Sequence, residues 1–361
     1  MSGCKVMADT PTSKPTPNSL AGLAAAVQTP VAVAYSGGAD STALLLMLAR
    51  QHPGQVQAIH IHHGLQAAAD DFSAHCKMFC AQLDVPLRVA HVNAAAASGQ
   101  SPEDAARRAR YAALSGKVLE INRALSQQNK GYDAINNIVI AQHADDQIET
   151  LLLALSRGAG LPGLSGMPVR WHRHGVVDGV DHRIEFVRPW LGVTSLEIRA
   201  WLKAEGFAAR HPGSPNIGQG WVEDPTNLDT QFTRNRIRHE LIPALENTFP
   251  HFRQTFARSA AHAAQAQSIL VQVAIEDMAN TGNPPKVVAL QRLSFERQAN
   301  VLRHWLKTSH QASPSTAQLA ELQSQISHCT DKGKQLRIKV AGGYVERKGD
   351  VLSYFPLASL P

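Results

Sequence analysis

The stretch VAVAYSGGADSTALLLML, residues 31–48, decides how the amino-terminal half of the chain is read. A β-branched apolar run, Val31–Tyr35, passes at once into Ser36-Gly37-Gly38-Ala39-Asp40-Ser41, and an apolar helix-like run follows. Glycines let backbone approach a ligand closely, and the first N–H groups of a helix have no intrahelical acceptor. A strand–Gly-Gly–helix passage is therefore suited to receive phosphate oxygens. Ser36 and Ser41 add hydroxyl donors. Asp40 would repel a phosphate unless a cation lies between them, which makes it a candidate Mg2+ ligand. Two other phosphate motifs are absent: there is no GxxxxGK followed by Ser or Thr, and no GxGxxG after a strand.

Outward from this stretch, short β-branched runs alternate with helical patterns. The strands are expected at Val31–Tyr35, Val56–His62, Leu87–Val92 and Ile138–Gln142, and the helices at Ser41–Gln51, Asp70–Leu83 and Ser101 to about Leu125. Ser101-Pro102-Glu103-Asp104 is a helix start, with a capping Ser, Pro at the first helical position and acids in the first turn. The alternation implies an α/β domain with a parallel sheet covered on both faces, its ligands bound beyond the carboxyl ends of the strands. Gly158 to Pro189 reads as loop, with residues 126–137 and 170–184 expanded and without a role. Thr194-Ser195-Leu196-Glu197 is a capping box opening a helix to about Glu205, and Gly206 to Gly220 reads as a second loop. Beyond Arg234 the pattern is helical and closes in a hairpin turning at Gly342-Gly343.

The 361 residues favour two or three domains. No apolar run reaches the roughly 18 residues of a membrane span, so no membrane partner is expected. Residues 1–18, rich in Pro, Thr and Ser, read as a disordered tail without a secretory core. Cys4, Cys76, Cys80 and Cys329 form neither a disulfide framework nor a CxxC pair, which suits a reduced, cytoplasmic protein. Charge is uneven. Residues 234–361 carry 16 Lys and Arg against 9 Asp and Glu, while residues 1–233 are nearly neutral. A polyanionic partner or a solvated basic surface would each explain the excess. The organisation expected is a tail (1–18), a catalytic domain (19–233) and a basic, mainly helical domain (234–361).

Three further stretches carry chemistry. In HIHHGL, strand alternation puts His60 and His62 on one face and His63 on the other, so a packed or nucleotide-facing histidine fits better than zinc. In QHADDQIET, residues 142–150, Glu149 lies one turn beyond Asp145 and Asp146. Together with His143 these acids exceed what helix capping needs, and they can bind a metal or a cationic substrate. In TRNRIR, Arg234, Asn235, Arg236 and Arg238 cluster where the charge turns positive. They fit phosphate contact or a solvated helix start.

Ser36–Ser41 resembles the SGGxDS signature of the PP-loop, or N-type, ATP pyrophosphatases. Taken in order, SGGADS, HIHHGL, ARRARY (106–111), QHADDQIET, RGAGLPGLSGM (157–167), DPTN (224–227) with RNRIR (234–238), and VLRHWLK (301–307) resemble the tRNA(Ile)-lysidine synthetases over residues 30 to about 355. The resemblance implies a Rossmann-like domain of the adenine nucleotide α-hydrolase type and cleavage of ATP between its α and β phosphates. It implies adenylation of the wobble cytidine of a tRNA(Ile) with a CAU anticodon, then attack by free L-lysine. Carried over by motif position, Ser36, Gly37, Gly38, Ala39, Asp40, Ser41 and His60 would bind ATP, with Mg2+ on Asp40. Asp146 and Glu149 would serve lysine or the metal, Arg107 and Arg110 the phosphates or activated base, and Arg234, Asn235, Arg236 and Arg238 the tRNA. A homodimer is compatible with this reading. Longer members of the family end in an additional small domain, whereas this chain ends at Pro361. The rivals are a PP-loop tRNA thiolase, which would need reactive cysteines, and a non-catalytic RNA-binding protein on the same fold.

Overall fold

In the computed structural model, β1 (Val31–Ala34) lies inside a six-stranded sheet of order β3-β2-β1-β4-β6-β5. The structure describes residues 20, 22–24, 26–62, 68–92, 102–128, 133–177, 180–329 and 336–357. The expected tail, Ser101, and His63, Gly64 and Leu65 of HIHHGL fall outside the described residues.

Strands β2 (Val56–His62), β3 (Leu87–His91), β4 (Asn137–Val139) and β6 (Val180–Val187) pair parallel with their neighbours in the line running through β1. The apolar continuity of β1 has a direct cause. Val31 and Val33 enter a core with helix α1 (Ala39–Gln51), Cys76 and Phe79 of α2 (Ala68–Gln82), and Ile198 and Leu202 of α5 (Ser195–Ala204). Ala32, pointing the other way, joins Tyr111, Leu114 and Val118 of α3 (Pro102–Gln128). A strand buried on both faces has no polar alternation to show. Because the order runs 3-2-1-4, the chain reverses its direction of travel between β1 and β4. A crevice opens beyond their carboxyl ends, between residues 35–41 and the start of α4 (Ala144–Ser156).

The expectation of loop from Gly158 to Pro189, including 170–184, is overturned. Residues Arg170–Val177 form β5 and pair antiparallel with β6, adding a hairpin to the sheet edge. Ile184 and Phe186 alternate into the core. The opposite side keeps His172, His174 and Arg183 in water, and this half-solvated pattern disguised the strands.

The second loop is tied down more tightly than its Gly and Pro content suggests. A two-residue strand, β7 (Ala209–Arg210), pairs with β8 (Trp221–Val222). The buried Arg210 makes two hydrogen bonds to Asp71 of α2, at 2.9 and 3.2 Å, and His75 accepts from the Gly218 N–H at 3.1 Å. The Val222 N–H then donates to the Gly37 carbonyl at 2.8 Å, fastening this loop to residues 35–41.

The division into compact units differs from the expected boundary at residue 234. One unit holds residues up to Ala260 except Gly160–Ser165, and the other holds Gly160–Ser165 with Ala261–Pro361. Ile237, Ile242 and Phe252 pack with Ile148 and Leu153 of α4, so Arg234, Arg236, Arg238 and Arg253 belong to the first unit. Charge marks a surface, but apolar packing sets a folding boundary. Residues 233–248 are helical throughout, with one widened turn at Ile237–Leu241 immediately before Pro243, which has no N–H to give.

In the second unit, α6 (Phe295–His310) and α7 (Thr316–Ser327) bury Leu302, Trp305, Leu306, Leu322 and Ile326 with the sheet residues Ile338, Val340, Val345 and Leu352. Ser294 and Ser315 cap the two helices, accepting from Arg297 N and Gln318 N. The terminal hairpin has a third strand. β9 (Arg337–Val340), β10 (Gly343–Lys348) and β11 (Val351–Pro356) form an antiparallel sheet, with a second turn at Gly349.

Gly220 sits at φ +68°, where a Cβ would lie 1.8 Å from the Ala208 carbonyl oxygen. Gly220→Ala is expected to lower the unfolding free energy by about 3 kcal/mol or more. Gly192→Ala, where nothing lies within 4 Å of the added atom, serves as a near-neutral control. Urea midpoints of the two variants provide the comparison.

Candidate active site

Residues 35–41 build a loop that satisfies itself on one side and leaves the other open. The Ser41 hydroxyl donates to the Gly38 carbonyl at 3.1 Å and lies 2.9 Å from the Ser36 hydroxyl, and the Ser36 N–H donates to Ser41 Oγ at 3.2 Å. Gly38 caps α1 without a side chain, so the helix amino end is uncovered. Gly37, at φ +86°, turns away from the opening, and a Cβ there would meet Cys76 Sγ at 3.2 Å.

The loop forms one wall of a cavity of about 970 Å³. His60, Ile61 and His62 from the end of β2 line it, as do Arg110, Tyr111 and Leu114 of α3 and residues 140–143, 145 and 146 at the end of β4 and start of α4. Arg199, Glu223, Asp224, Asn227, Arg238 and Arg253 complete it. His60 is buried, and its Nδ1–H donates to the Tyr35 carbonyl at 3.0 Å.

The electrostatic centre is His143, the N-cap of α4. Its Nε2 lies 3.5 Å from Asp40 Oδ2 and 3.5 Å from Asp146 Oδ2, and its Nδ1 lies 3.8 Å from Asp145 Oδ2. Burial alone would lower its pKa, but Asp146, then Asp40 and Asp145, outweigh burial and raise it to about 9. His143 is therefore a buried imidazolium that offsets the carboxylates around it. Asp145 is held by the Ser195 N–H at 3.0 Å and Arg253 Nε at 2.6 Å. Burial acts to raise its pKa, but these two donors prevail and hold it below the usual carboxylate range. Asp146 accepts from the His143 backbone N–H at 3.0 Å and keeps an open side toward the cavity.

The structure separates residues that the sequence grouped. Ser36, Gly38, Ala39, Asp40, Ser41, His60, Arg110, Asp146 and Arg238 meet at the cavity, whereas Gly37, Arg107, Glu149, Arg234, Asn235 and Arg236 do not line it. Glu149 is almost fully buried and accepts from Arg238 Nε at 2.8 Å, with Arg234 3.6 Å from its second oxygen. Burial raises its pKa and Arg238 opposes that rise. Its place is beneath Arg238, with which it pairs, and outside the cavity lining. Asn235 is also buried, its amide spent on the carbonyls of Thr226 and Asp229 at 2.8 Å each. It holds the DPTN turn. Arg236 is exposed, with its guanidinium on Thr233 Oγ1.

A divalent cation fits at Asp40. Its Oδ1 is buried without a hydrogen-bond partner and belongs to the cavity wall beside the open helix end. Among the described residues no three His, Cys, Asp or Glu side chains are grouped to hold a metal. Mg2+ takes one or two carboxylates and completes its shell with phosphate oxygens and water.

Comparison with known proteins agrees with this geometry. The family profile described as a PP-loop domain matches residues 15–245, and that described as the TilS substrate binding domain matches residues 286–352. The tRNA(Ile)-lysidine synthase of Polaromonas naphthalenivorans is 52% identical over 330 residues, covering 91% of this chain and 90% of that protein. The chain belongs to the tRNA(Ile)-lysidine synthase family. The family's protein from Pseudomonas fluorescens is 40% identical over 76% of this chain and 57% of its own length. That from Ralstonia nicotianae is 37% identical over 88% of this chain and 63% of its own. This chain therefore spans about three fifths of those two longer relatives.

Sequence reasoning passed over His143 as a charged group and did not name Arg253, Arg199 or Glu223. Arg253 lies more than 100 residues beyond Asp145 and Glu223 lies 24 residues beyond Arg199, so no local spacing signals either pair.

The raised pKa of His143 gives a signed expectation. Between the unfolded value near 6.5 and the folded value near 9, the native state holds a proton that the unfolded state has lost. The contribution is complete below pH 6.5 and fades as pH rises through 9, with a slope of up to about 1.4 kcal/mol per pH unit. Urea unfolding between pH 6.5 and 9 should show this decline, and His143→Gln should flatten it.

Proposed function

We propose that this chain uses ATP to join L-lysine to carbon 2 of the wobble cytidine of a tRNA(Ile) with a CAU anticodon, through an adenylated cytidine, releasing pyrophosphate and AMP. One observation carries the reading. The open helix end at Gly38, the unpartnered oxygen of Asp40, and Asp146 beside Arg238 all face one cavity beyond the strand ends.

In the first step the cytidine 2-oxygen attacks the α phosphate, and the bond to the β phosphate breaks. The negative charge gathering on the departing pyrophosphate faces the N–H groups of the loop and the first turn of α1, with the Ser36 and Ser41 hydroxyls beside them. Mg2+ held on Asp40 would supply further charge neutralisation at the phosphates. His143 sets a positive charge 3.5 Å from both Asp40 and Asp146, which offsets their negative charge beside the incoming phosphates.

In the second step the lysine ε-amine attacks carbon 2 and AMP leaves. The amine must lose a proton to attack, and Asp146 is the carboxylate placed to orient the ammonium and accept that proton. Arg238, held by Glu149, lies within reach of Asp146 at 3.8 Å and would meet the phosphate or the activated base. The thiolase alternative loses support from the cysteines. Burial pushes Cys80 up to about 12 and raises Cys76 as well, so neither supplies a thiolate near neutral pH.

The test incubates the protein with ATP, labelled lysine and unmodified tRNA(Ile) bearing CAU, with a methionine tRNA of the same anticodon as control. Label is expected in the isoleucine tRNA alone, and no label in either tRNA would end the proposal. Asp40→Asn is expected to keep the circular dichroism and melting temperature of the parent. It should lower tRNA- and lysine-dependent pyrophosphate release by at least about a hundredfold.

A further inference from the structure

The hairpin of β5 and β6 has no part in the chemistry above, yet it brings a side chain to the edge of that site. Trp171 and Arg173 are two residues apart on β5 and share one face. Both lie against Tyr111 of α3. The Trp171 ring meets Tyr111 edge-on at 5.5 Å, and the Arg173 guanidinium is 5.8 Å from the Tyr111 ring centre. The Arg107 guanidinium stands 5.7 Å from the same ring. Arg110 and Tyr111 both line the cavity. Arg188, 1% exposed, stacks 3.7 Å over Trp171 and donates to the Tyr111 hydroxyl at 3.1 Å.

Three guanidiniums, of Arg107, Arg173 and Arg188, thus gather round two aromatic rings, with Arg110 on the cavity wall beside Tyr111. Among the described residues, none of the four has a carboxylate within ion-pair distance. Besides Tyr111, Arg188 donates only to the neutral oxygens of Gln142 and Pro168. Arg188 is buried and Arg173 half-buried, whereas Arg107 and Arg110 are exposed, and burying a cation without a counter-charge is costly. Elsewhere in this unit the buried or half-buried arginines Arg210, Arg238 and Arg253 each meet an acid. The exception is what a site looks like when its anion arrives with a ligand, and guanidinium is the group best matched to phosphate oxygens.

Two phosphate sources are compatible with that chemistry, and position separates them. A nucleotide whose phosphates rest on residues 36–41 lies inside the cavity, whose lining includes Arg110 but neither Arg173 nor Arg107. A nucleic-acid strand that sends one base into the cavity leaves its backbone outside, over the rim where Arg173 and Arg107 flank Tyr111. We propose that Arg173 of the hairpin, with Arg107 and Arg110 of α3, holds a phosphodiester of the RNA strand whose base enters the cavity. Tyr111 and Trp171 serve as the aromatic floor that positions the guanidiniums. The inference rests on the functional reading above and extends it to a surface that reading leaves idle.

Filter binding of unmodified tRNA over a range of salt concentrations tests it, with ATP binding measured separately by equilibrium dialysis. Arg173→Met keeps an apolar stem over Tyr111 and removes the charge. It should weaken tRNA binding about fivefold at low salt. The slope of log affinity against log salt should fall by about 0.7–0.9, the signature of one lost phosphate contact, which a packing role would not produce. ATP affinity should stay at the parent value, and Arg173→Lys should recover most of the slope. Arg107→Met, on a separate element, should give the same loss of slope even if the hairpin variant fails to fold. Unchanged tRNA affinity and slope in both methionine variants would overturn the inference. A parallel loss of ATP affinity would reassign the cluster to the nucleotide. Failure of the parent protein to bind tRNA would instead overturn the functional reading.

Discussion

Gly37 holds a left-handed backbone in which a side chain would be strained and would crowd Cys76, and the site is built on that fact. Its backbone sits at φ +86°, its missing Cβ would press on Cys76, and its carbonyl accepts from Val222 N and Thr42 Oγ1. The loop is thereby clamped from behind by α2 and from the side by β8, so the face turned to the cavity is rigid and keeps its N–H groups open. A loop that had to order itself on binding would forfeit much of the attraction it offers a phosphate. The ties among Arg210, Asp71, His75 and Gly218 serve the same clamp, since they hold the segment that carries Val222.

A second constraint is charge balance. Asp40, Asp145 and Asp146 converge on His143, and three carboxylates so close repel one another unless positive charge lies among them. His143 supplies the first counter-charge and Arg253 the second, leaving Asp40 and Asp146 as carboxylates with an open side. Glu149 and Arg238 form a separate pair beside them. The basic side chains in this part of the protein therefore divide into two kinds. Some are spent on acids of the fold, and others, around Tyr111, await an acid from elsewhere.

Much of this was legible beforehand. The alternation of β-branched and helical runs located β1 to β4 and the first three helices within a few residues, helped at β1 and β4 by burial on both faces, which leaves near-continuous apolar strands. The capping box at Thr194 placed α5 for a local reason that needs no tertiary context. The hairpin of β5 and β6 resembles loop in composition because an edge strand with one wet face is rich in His and Arg. Its pairing is decided by β4 and α3 and not by its own residues. The terminal sheet gained a strand for a comparable reason. The Gly342-Gly343 turn is visible in composition, but only pairing shows that Gly349 begins a second one.

The site divides in the same way. The residues 36–41 and the acids at the start of α4 declared themselves because the chemistry of a phosphate loop and of clustered carboxylates depends on residue type at short spacing. The sequence by itself determined that loop, the parallel sheet behind it and the resemblance to a family. Only the tertiary structure decided that Glu149 and Asn235 are buried behind the site, that His143 is charged, and that the basic run after residue 233 packs with α4. Those outcomes turn on burial and on partners up to 108 positions away, as in the pair of Asp145 and Arg253, and long-range burial leaves no local pattern to read.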